Sequence, residues 1–495
     1  MRKILREPVA AAKKTYDLII VGGGIYGTML ALEASQRNLK PLLIERDDFG
    51  GCTSLQTLRI IHGGFRYLQD FDFTRLLESA GERRWFLQNF PDLVKPLPCL
   101  MPLYGKGLRR SSTLRIALLI YDFLTRRRNN GIPIDNAILS GRVIDAAQTE
   151  SLYPLVDTDG LEGGAIWYDA FMPDSQRLLI EILLIACENG ATVLNYVEAK
   201  ALIKIDNVVA GITAIDHEDG KSHDFNGKIV INATGPWCRE LASQFDRDHP
   251  SLFKSMMAWN ILFNKKALSE YGLAITSKKN GNKTYFLVPW KGLLFAGTGH
   301  AQCLQIMKNP MPTKEQIQDF IDDLNSSIPN LKLCPADILK IFTGIQSATK
   351  EGGTDFTTKE VIVNHKDNGG PEGLFSVSGV KFTTARLVAN KMIDKIFPEN
   401  KESFSIRKGF RNTAKENKIS EIYDFHWSPA TEDSRWKDDM RSIITSQSVL
   451  HLDDLIYRRT CLGFNPLRVL KVAEFTRELF DWDEARFNSE LKRLK

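Results

Sequence analysis

A glycine-rich loop near the start of the chain, Gly22-Gly23-Gly24-Ile25-Tyr26-Gly27, constrains the fold more than any other segment. It has the spacing G-x-G-x-x-G. An apolar, β-branched run at residues 16–21 precedes it, and a helical stretch from residue 28 to about residue 37 follows. A second apolar strand at residues 41–44 ends at Glu45. Strand, tight turn, helix and strand in this order predict a βαβ unit that binds a dinucleotide.

Each part of this loop has its own physical task. Gly22 permits the tight turn, Gly24 lets the backbone approach a pyrophosphate, and Gly27 lets helix and strand pack closely. The start of the helix then presents N–H groups and a partial positive charge to the phosphates. Glu45 is placed to accept hydrogen bonds from ribose hydroxyls, and its charge disfavours the 2′-phosphate of NADP. The loop alone does not separate FAD from NAD.

Length, charge and cysteine content narrow the class of protein. A chain of 495 residues predicts two or three structural units. The formal net charge of +5 is too small to predict a nucleic-acid partner, although it is compatible with an anionic ligand or acidic lipid. Seven dispersed cysteines without a C-x-x-C pair indicate reduced thiols in the cytoplasm and no structural metal site. We find no secretory signal and no membrane-spanning run, and therefore predict a cytoplasmic protein or one peripheral on the inner face of the membrane.

The pattern along the chain predicts an α/β fold with three units. Strand-like runs at 190–197, 227–233 and 374–377 extend the sheet of the first unit, and residues 381–396 are predicted as one long helix. Residues 91–130 break the pattern, and residues 285–289 and 293–298 alternate as antiparallel strands do. The predicted units are a discontinuous dinucleotide-binding domain (15–90, 150–250 and 344–398), a substrate or cap domain (91–149 and 251–343) and a helical C-terminal domain (403–495).

Five further groups of residues follow in one order: Cys52-Thr53-Ser54 with 59–68, 231–237, Val288-Pro289-Trp290 with Gly297-Thr298, 379–384, and 452–454 with 458–460. Together they resemble the motifs of the FAD-dependent glycerol-3-phosphate dehydrogenases. These are flavoproteins of the glutathione reductase type with a D-amino-acid-oxidase-like substrate domain. The resemblance spans nearly the whole chain and implies that the dinucleotide is FAD. It also implies an FAD-binding Rossmann-like domain, a mixed or antiparallel substrate sheet and a helical C-terminal domain.

The resemblance identifies the candidate cofactor residues. It implies that the backbone of Val197 contacts the adenine, while the small residues of the turn after the strand at 227–233 let the chain pass close to the adenosine half. Gly379 is predicted to precede a helix whose N–H groups face the flavin. An ordinary strand-end turn and an ordinary helix entry remain alternatives for these two segments. The full set is Gly22, Gly24, Ile25, Tyr26, Gly27, Glu45, Arg46, Thr53, Ser54, His62, Gly63, Gly64, Val197, Ala233, Thr234, Gly235, Trp237, Gly379, Lys381, Phe382 and Thr383.

The family's reaction, as the resemblance implies it, transfers a hydride from the secondary carbinol carbon of sn-glycerol 3-phosphate to flavin N5. A base takes the hydroxyl proton, the product is dihydroxyacetone phosphate, and the electrons pass to quinone. Arg66, Tyr67 and Lys381 match substrate-binding positions of the family, and arginine and lysine suit a phosphate. His62 and His300 are the titratable candidates for the base, since imidazole titrates near neutral pH. For His62, a structural role at the edge of the flavin is favoured over that of the base. For His300, a structural role and the role of the base both stay open. The candidate catalytic residues are therefore His62, Arg66, Tyr67, His300 and Lys381.

The substrate end of the chain departs from the family pattern. Gln346 stands where the family has a phosphate-binding arginine, and a second family arginine aligns, more loosely, with Asn364. The surroundings of Trp259 differ as well. A lost charged contact typically costs a few kcal/mol of binding free energy. A less anionic hydroxy or amino compound is therefore an alternative to glycerol 3-phosphate as the substrate. The candidate substrate residues are Arg66, Tyr67, Trp259, Gln346 and Lys381.

Alternatives to a dehydrogenase stay open at this point. One is an oxidase that passes electrons to oxygen, and another is a non-catalytic, flavin-binding redox sensor or scaffold. The expected partners are a small hydroxy or phosphorylated substrate and a quinone acceptor. An apolar stretch at 114–123 with arginines on both sides fits a peripheral membrane contact, and it equally fits a buried helix with a solvated basic end.

Overall fold

The computed structural model describes residues 2–105, 107–279, 281, 283–379, 381–400, 419–428 and 435–494. The strands of this part of the chain are β1 (Thr15–Tyr16), β2 (Leu18–Val21), β3 (Pro41–Ile44), β4 (Ile60–Ile61), β5 (Lys95–Leu103), β6 (Arg142–Ile144), β7 (Gly163–Phe171), β8 (Thr192–Leu194), β9 (Val197–Ile205), β10 (Val208–Asp216), β11 (Ser222–Gly227), β12 (Val230–Asn232), β13 (Ser255–Lys266), β14 (Gly272–Thr276), β15 (Thr284–Trp290), β16 (Leu293–Gln302), β17 (Ile338–Ser347), β18 (Val361–Asn364) and β19 (Leu374–Ser378).

The α-helices of the same part are α1 (Pro8–Ala12), α2 (Ile25–Gln36), α3 (Phe73–Asn89), α4 (Ser111–Leu124), α5 (Ala146–Leu152), α6 (Ser175–Glu188), α7 (Cys238–Phe245), α8 (Lys314–Ser327), α9 (Ala385–Ile396), α10 (Ile419–Ile422), α11 (Arg435–Ser446), α12 (Val469–Thr476) and α13 (Glu484–Arg493). Short 3₁₀ helices lie at Phe65–Leu68, Gly107–Arg109, Ile134–Asn136, Gly235–Trp237, Pro335–Asp337, His365–Asn368, Pro398–Asn400, Leu462–Phe464 and Arg477–Leu479, and a π-helical turn lies at Asp454–Arg459.

A six-stranded sheet carries the glycine loop, in the order β18-β19-β12-β2-β3-β8. Its strands are parallel except for the edge strand β18. Both β2 and β3 are buried along their whole length, as parallel strands covered on both faces are. Helix α2 packs against α6 and α9. The predicted βαβ unit is confirmed, and α2 begins at Ile25 rather than at Thr28 because Gly24 already has the extended backbone of an N-cap residue.

A second sheet of four strands, in the order β1-β11-β10-β9, was not predicted from the sequence. The run at 16–21 was predicted as one strand, but it divides between the two sheets: Tyr16 pairs with Gly227, while β2 lies in the six-stranded sheet. The run at 190–197 divides in the same way. Tyr196 has a φ of 56°, and this turn separates β8 from β9, which begins at Val197.

The third sheet has the order β17-β13-β16-β15-β14-β5-β7-β4, with β6 on β7, and its pairs are antiparallel except that of β14 with β5. The antiparallel prediction for residues 251–343 is confirmed. The predicted break at 91–130 contains β5 and α4. Strand β5 contains three prolines, but it pairs with β14 only at Cys99 and Leu100. The prolines, which have no N–H, therefore lie outside the pairing with β14 and remove no hydrogen bond from it.

Helix α9 begins at Ala385, and the predicted helix start at Lys381 was wrong. The hydroxyl of Tyr26 accepts the Lys381 N–H at 3.3 Å and donates to the Lys381 carbonyl at 3.1 Å. Residues 381–384 are therefore held in a turn, and Thr384 is the N-cap residue. It is this turn, rather than the first turn of a helix, that follows Gly379.

Described residues beyond position 400 are helical, as predicted, while residues 403–418, 429–434 and 495 of the predicted C-terminal domain lie outside the described residues. Asp48, which follows β3, joins this part to the six-stranded sheet: it pairs with Arg458 at 2.8 Å and with Arg459 at 2.6 Å. The mixed α/β fold class is confirmed. Strands β4 and β7 come from segments assigned to the first unit but pair in the nine-stranded sheet, so the exact three-unit division stays a prediction.

Candidate cofactor and substrate site

An open cavity lies at the carboxyl ends of the parallel strands β2, β3, β12 and β19. This edge is where open α/β sheets bind their ligands. Most of the predicted cofactor residues line it. They are Gly22, Gly24, Ile25, Tyr26, Glu45, Arg46, Thr53, Ser54, Val197, Ala233, Thr234, Gly235, Trp237, Gly379, Lys381 and Phe382.

The glycine loop has the close packing that its spacing predicts. A Cβ on Gly27 would lie 1.8 Å from the Gly22 carbonyl oxygen, so helix and strand approach as only glycine allows. Gly22 has a φ of 109°, and a Cβ there would lie 2.7 Å from the Ala233 carbonyl oxygen. A Cβ on Gly24 would meet only Ser54 Oγ, at 3.4 Å. The backbone at Gly24 therefore faces open space, and this cradle fits the pyrophosphate of a dinucleotide.

Glu45 directly follows β3 and lies in the cavity wall. Its Oε2 accepts the Gly23 N–H at 2.7 Å, and its Oε1 accepts the Asp47 N–H at 2.9 Å. Burial raises the pKa of this carboxyl, while the two backbone hydrogen bonds oppose the rise. On another part of the wall, the Arg46 guanidinium lies 4.3 Å from the centre of the Trp237 ring. Both are predicted cofactor residues, and together they give the cavity a flat, cationic surface.

A buried asparagine that the predictions did not name holds the turn after β12. Asn232 Oδ1 accepts the Thr234 hydroxyl at 2.7 Å and the Thr234 N–H at 3.3 Å. Its Nδ2 donates to the Cys238 carbonyl at 2.6 Å and to Ser376 Oγ at 3.2 Å. An amide at the end of an apolar strand is a sequence signal that could have identified it. Its contacts fix the backbone that lines the cavity at Thr234.

Four predicted residues meet at one end of the cavity. Lys381 Nζ hydrogen-bonds the Tyr67 hydroxyl and lies 4.6 Å from the centre of its ring. The ring of Tyr26 covers Gly379 so closely that a Cβ there would lie 1.6 Å from it. Position 379 therefore requires glycine, and Lys381 presents an ammonium group beside the cavity.

His62 is oriented by a buried carboxylate. Its Nδ1 lies 3.2 Å from Asp169 Oδ2, and Asp169 Oδ1 accepts the Gly63 N–H at 2.6 Å. Burial opposes ionisation of Asp169, but the hydrogen bond and charge of His62, the charge of Arg83 and the Gly63 N–H outweigh it and lower its pKa. The His62 side chain is 45% exposed, so the ring is held on one side and accessible on the other.

Asp169 is a functional candidate that the sequence reasoning missed. It lies in β7, whose nine residues are all buried. A single acid in an otherwise buried strand is a usable signal, because ionised carboxylates are rarely buried without a specific partner. The partner itself, His62, is 107 positions away in the chain.

Gly63 and Gly64 act through packing rather than as part of the cavity wall. A Cβ on Gly63 would lie 2.1 Å from Arg83 Nη1, and one on Gly64 would lie 2.9 Å from the Leu76 carbonyl oxygen. Thr383 is buried in the turn before α9. These predicted cofactor residues, with Gly27 and His62, are absent from the described lining of the cavity.

The predicted substrate residues are only partly brought together. Gln346 lines the cavity with Lys381. Arg66 is exposed in the 3₁₀ helix Phe65–Leu68. Trp259 does not reach the cavity: Gln346 pairs with Met256, and an odd number of residues along β13 turns Trp259 to the opposite face of the sheet. There its ring packs over Gly299 and 6.5 Å from that of Phe320 in α8.

His300 and Asn364 also lie apart from the cavity. The ring of His300 is 5.6 Å from that of Phe356, and burial together with the charge of Lys283 lowers its pKa. Asn364 donates to Asp367 in the 3₁₀ helix that follows it. Val361, at the start of β18, pairs with Ser378, which precedes Gly379 of the cavity wall. Asn364 lies three residues further along β18, about 10 Å from Val361. Asn364 therefore lies away from the cavity, and Lys359 lies nearer the cavity end of β18.

Helix α4 is neither fully buried nor polar on its outer face. Leu114, Leu118 and Tyr121 are buried, whereas Ile116, Leu119, Ile120 and Phe123 are 43–67% exposed. Of the two alternatives that the sequence left open, a fully buried helix does not fit this face. Within the described ranges, no helix combines the length and the apolar character that crossing a membrane requires.

Comparison with known proteins places these features in a family. The family model described as FAD dependent oxidoreductase matches residues 17–394. The chain is 30% identical to glycerol-3-phosphate dehydrogenase of Synechocystis over 405 residues, covering 78% of this chain and 71% of that protein. It is 30% identical to aerobic glycerol-3-phosphate dehydrogenase of Staphylococcus epidermidis over 410 residues, covering 82% and 71%. The fold is similar to that of glycerol-3-phosphate dehydrogenase from Bacillus halodurans complexed with FAD, with a TM-score of 0.74, 20% identity, and coverage of 98% and 96%.

Proposed function

Because the chain belongs to the family of FAD-dependent oxidoreductases and is related to glycerol-3-phosphate dehydrogenase, we propose that it is a dehydrogenase acting on a secondary alcohol of the glycerol 3-phosphate type. Bound FAD supplies the hydride acceptor, at flavin N5. The residues that would hold it are the glycine loop 22–27, Glu45, the Arg46–Trp237 pair, the turn 233–235 and the turn after Gly379. The glycine contacts at positions 22 and 27 fit this group, because side chains there would close the cradle.

The observation that carries the proposal is the pairing of His62 with Asp169. With Nδ1–H donating to the ionised carboxylate, the lone pair of Nε2 is free to accept the proton of a substrate hydroxyl. The carboxylate also stabilises the imidazolium that this transfer creates. His62 is therefore proposed as the general base, in place of the structural role that the sequence favoured. Tyr67 and Lys381 would orient the substrate at the end of the cavity.

Cationic side chains near the cavity would attract an anionic substrate, but one position expected to carry a positive charge is neutral. Lys381 lies at the cavity, Arg66 is exposed in the neighbouring 3₁₀ helix, and Lys359 precedes β18. Gln346 donates and accepts hydrogen bonds but brings no charge to the position of the family's arginine. This one observation favours a second candidate: an oxidoreductase of the same family whose substrate is a less anionic hydroxy or amino compound.

Anaerobic bleaching of the flavin separates these candidates. The holoprotein is mixed with glycerol 3-phosphate, glycerol, a 2-hydroxy acid or a primary amine, and the flavin absorbance is followed. Fast bleaching by glycerol 3-phosphate alone supports the first candidate, while preference for an uncharged polyol, hydroxy acid or amine supports the second. Peroxide formation in air would instead indicate an oxidase. Bleaching by none of them would overturn both candidates and favour a redox sensor or scaffold.

We further propose that electrons leave to a quinone at a membrane surface that α4 contacts. Four apolar side chains of α4 are exposed, and Arg109, Arg110, Arg115 and residues 126–128 add positive charge at or near its two ends. An apolar face bordered by cations is the pattern of an interfacial helix. Lipid-soluble quinone would be reached from the same surface, and the location would then be the inner face of a membrane.

A further inference from the structure

We propose that Asp246, His249 and His365 form a binding site for a divalent transition-metal ion of the zinc type. The three residues lie outside the cavity, between the end of α7 and the start of the 3₁₀ helix His365–Asn368. One ligand atom from each lies within 4.8 Å of the other two. Two imidazoles and one carboxylate are a donor set that zinc accepts, with solvent as the fourth ligand.

The distances within this site fit tetrahedral coordination. His365 Nδ1 lies 2.9 Å from Asp246 Oδ2, and His249 Nε2 lies 3.6 Å from the same oxygen. Ligands about 2.0–2.1 Å from a tetrahedral ion are separated by about 3.3 Å. The two observed separations lie on either side of this value. Shifts of a few tenths of an ångström would bring these two pairs to that separation, and the ligand atoms of the two histidines lie within 4.8 Å of each other.

His249 supplies an independent sign that a ligand belongs here. The residue is only 9% exposed, and its Nε2 is fully buried. Among the described residues, this nitrogen has no hydrogen-bond partner. A buried imidazole nitrogen without a partner costs free energy in a purely structural network. A metal ion bound between Nε2 and Asp246 Oδ2 would remove that cost.

The two carboxylate oxygens of Asp246 face different partners. Arg247 Nε contacts Asp246 Oδ1 at 3.3 Å. Oδ2 faces His365 Nδ1 and His249 Nε2, and it is the carboxylate oxygen that would bind the metal.

A second layer of contacts would hold His365 in the right orientation. Its Nε2 lies 2.9 Å from Ser376 Oγ in β19. Metal-bound histidines almost always donate their other ring N–H to such a partner, which fixes the tautomer and the ring. In the metal-free protein, Nδ1–H donates to Asp246 Oδ2 at 2.9 Å. Zinc binding would require the other tautomer, in which Nε2–H donates to Ser376 and Nδ1 carries the lone pair that binds the metal.

Equilibrium dialysis of the holoprotein against Zn²⁺, after treatment with a chelator, tests this proposal. We expect about one zinc ion per chain. His249→Ala and Asp246→Asn should weaken binding at least about 10- to 100-fold, since even outer contacts of metal sites have effects of that size. Two variants at different positions guard against one that fails to fold, and circular dichroism checks each.

The matched control is His217→Ala. His217 Nε2 pairs with Glu198 at 3.0 Å and belongs to no group of three potential metal ligands among the described residues. Zinc binding should be unchanged in this variant. Wild-type protein that binds no zinc, or a His249→Ala variant that binds it as the wild type does, would overturn the proposal. Zinc uptake does not depend on the substrate, so this result stands apart from the flavin-bleaching experiment.

Discussion

Single residues determine the affinity of the cavity for an anionic substrate, and Gln346 is the clearest case. We predict that Gln346→Arg lowers the KM for glycerol 3-phosphate at least about tenfold. A charge-assisted hydrogen bond contributes about 1.5–3 kcal/mol, and each 1.4 kcal/mol is about tenfold in affinity. Steady-state reduction of a dye measures KM, and Gln346→Met is the control because it is similar in length and uncharged. An unchanged KM in the arginine variant would show that position 346 does not face the phosphate.

Asp169 provides the second prediction at this scale. Asp169→Asn should lower the rate of anaerobic flavin reduction by about 10²–10⁴-fold, because His62 loses the carboxylate that orients it and stabilises its charge. Stopped-flow absorbance measures the rate, and the flavin content should not change. Trp167→Phe is the control. It removes the 3.4 Å hydrogen bond that Trp167 donates to Asp169 but keeps the carboxylate that contacts His62. A normal rate in Asp169→Asn would exclude His62 as the base.

Residue-level predictions from the sequence were best where neighbours in the chain are neighbours in space. The spacing of the glycine loop fixed the contacts of Gly22 and Gly27, and Glu45 ends the adjacent strand. Asp169 and Trp259 could not be placed, because their surroundings depend on which strands pair and in which register. A shift of one residue along β13 would exchange the two faces of the sheet.

At the scale of elements, β12 and β19 share a buried polar connection to the cofactor cavity. His365 contacts Ser376, Ser376 contacts Asn232, and Asn232 holds the Thr234 backbone. We predict that Ser376→Ala raises the Kd for FAD about tenfold. Removal of one partner leaves a buried amide group unsatisfied, which costs about 1–3 kcal/mol.

Fluorescence titration of the apoprotein with FAD measures this effect. Ser378→Ala is the control, since Ser378 is also buried at the end of β19 and has no part in the chain of contacts to Thr234. Equal FAD affinity in the Ser376 variant and in the wild type would show that the turn holds its shape without this connection.

Helix α4 provides the second prediction at the scale of elements. Leu119→Glu combined with Phe123→Glu should abolish recovery with anionic liposomes in a flotation experiment. Burial of each large apolar side chain contributes about 1.5–3 kcal/mol, and added negative charge is repelled by acidic lipid. Leu467→Glu is the control, because Leu467 is 86% exposed but belongs to the segment before α12 and not to α4. Wild-type protein found only in the unbound fraction would contradict the membrane proposal.

Elements were predicted well where their periodicity was not interrupted, and less well where a turn changed their sheet. Strand β3 has the predicted bounds. The start of α9 was misplaced because Tyr26, 355 positions away, bonds the backbone of Lys381. No local pattern contains that contact. The four-stranded sheet was missed for a related reason, since Tyr196 divides a run that reads as continuous.

At the scale of the whole molecule, His451 links the helical C-terminal part to the four-stranded sheet. Its Nε2 lies 3.0 Å from Glu218 Oε1, in the connection from β10 to β11, and its Nδ1 lies 2.9 Å from Glu490 Oε1. Burial lowers its pKa, but these two carboxylates and Asp454 outweigh burial and the charge of Arg493 and raise the pKa to about 9. Arg486 and Tyr196 also contact this ring.

This shift has a defined effect on stability. A histidine whose folded pKa lies above its ordinary value of 6.5 stabilises the fold fully below pH 6.5, and the contribution is lost as the pH rises through about 9. We predict a loss on the order of 2–3 kcal/mol in the free energy of unfolding across this range. Urea unfolding at several pH values measures it. His451→Gln should be less stable at pH 6.5 and nearly independent of pH, and a parallel pH dependence in both proteins would contradict the assignment.

The cofactor-binding sheet is assembled from strands that are far apart in the chain. Strand β2 pairs with β12, and β12 pairs with β19, which ends at Ser378. During synthesis, the phosphate loop at Gly22 therefore leaves the ribosome long before the opposite wall of its cavity exists. At about 5–20 residues per second, the interval until residue 382 is roughly 20–70 s. FAD can be captured only late, and the nascent chain must keep the apolar edges of β2 apart from other chains until then.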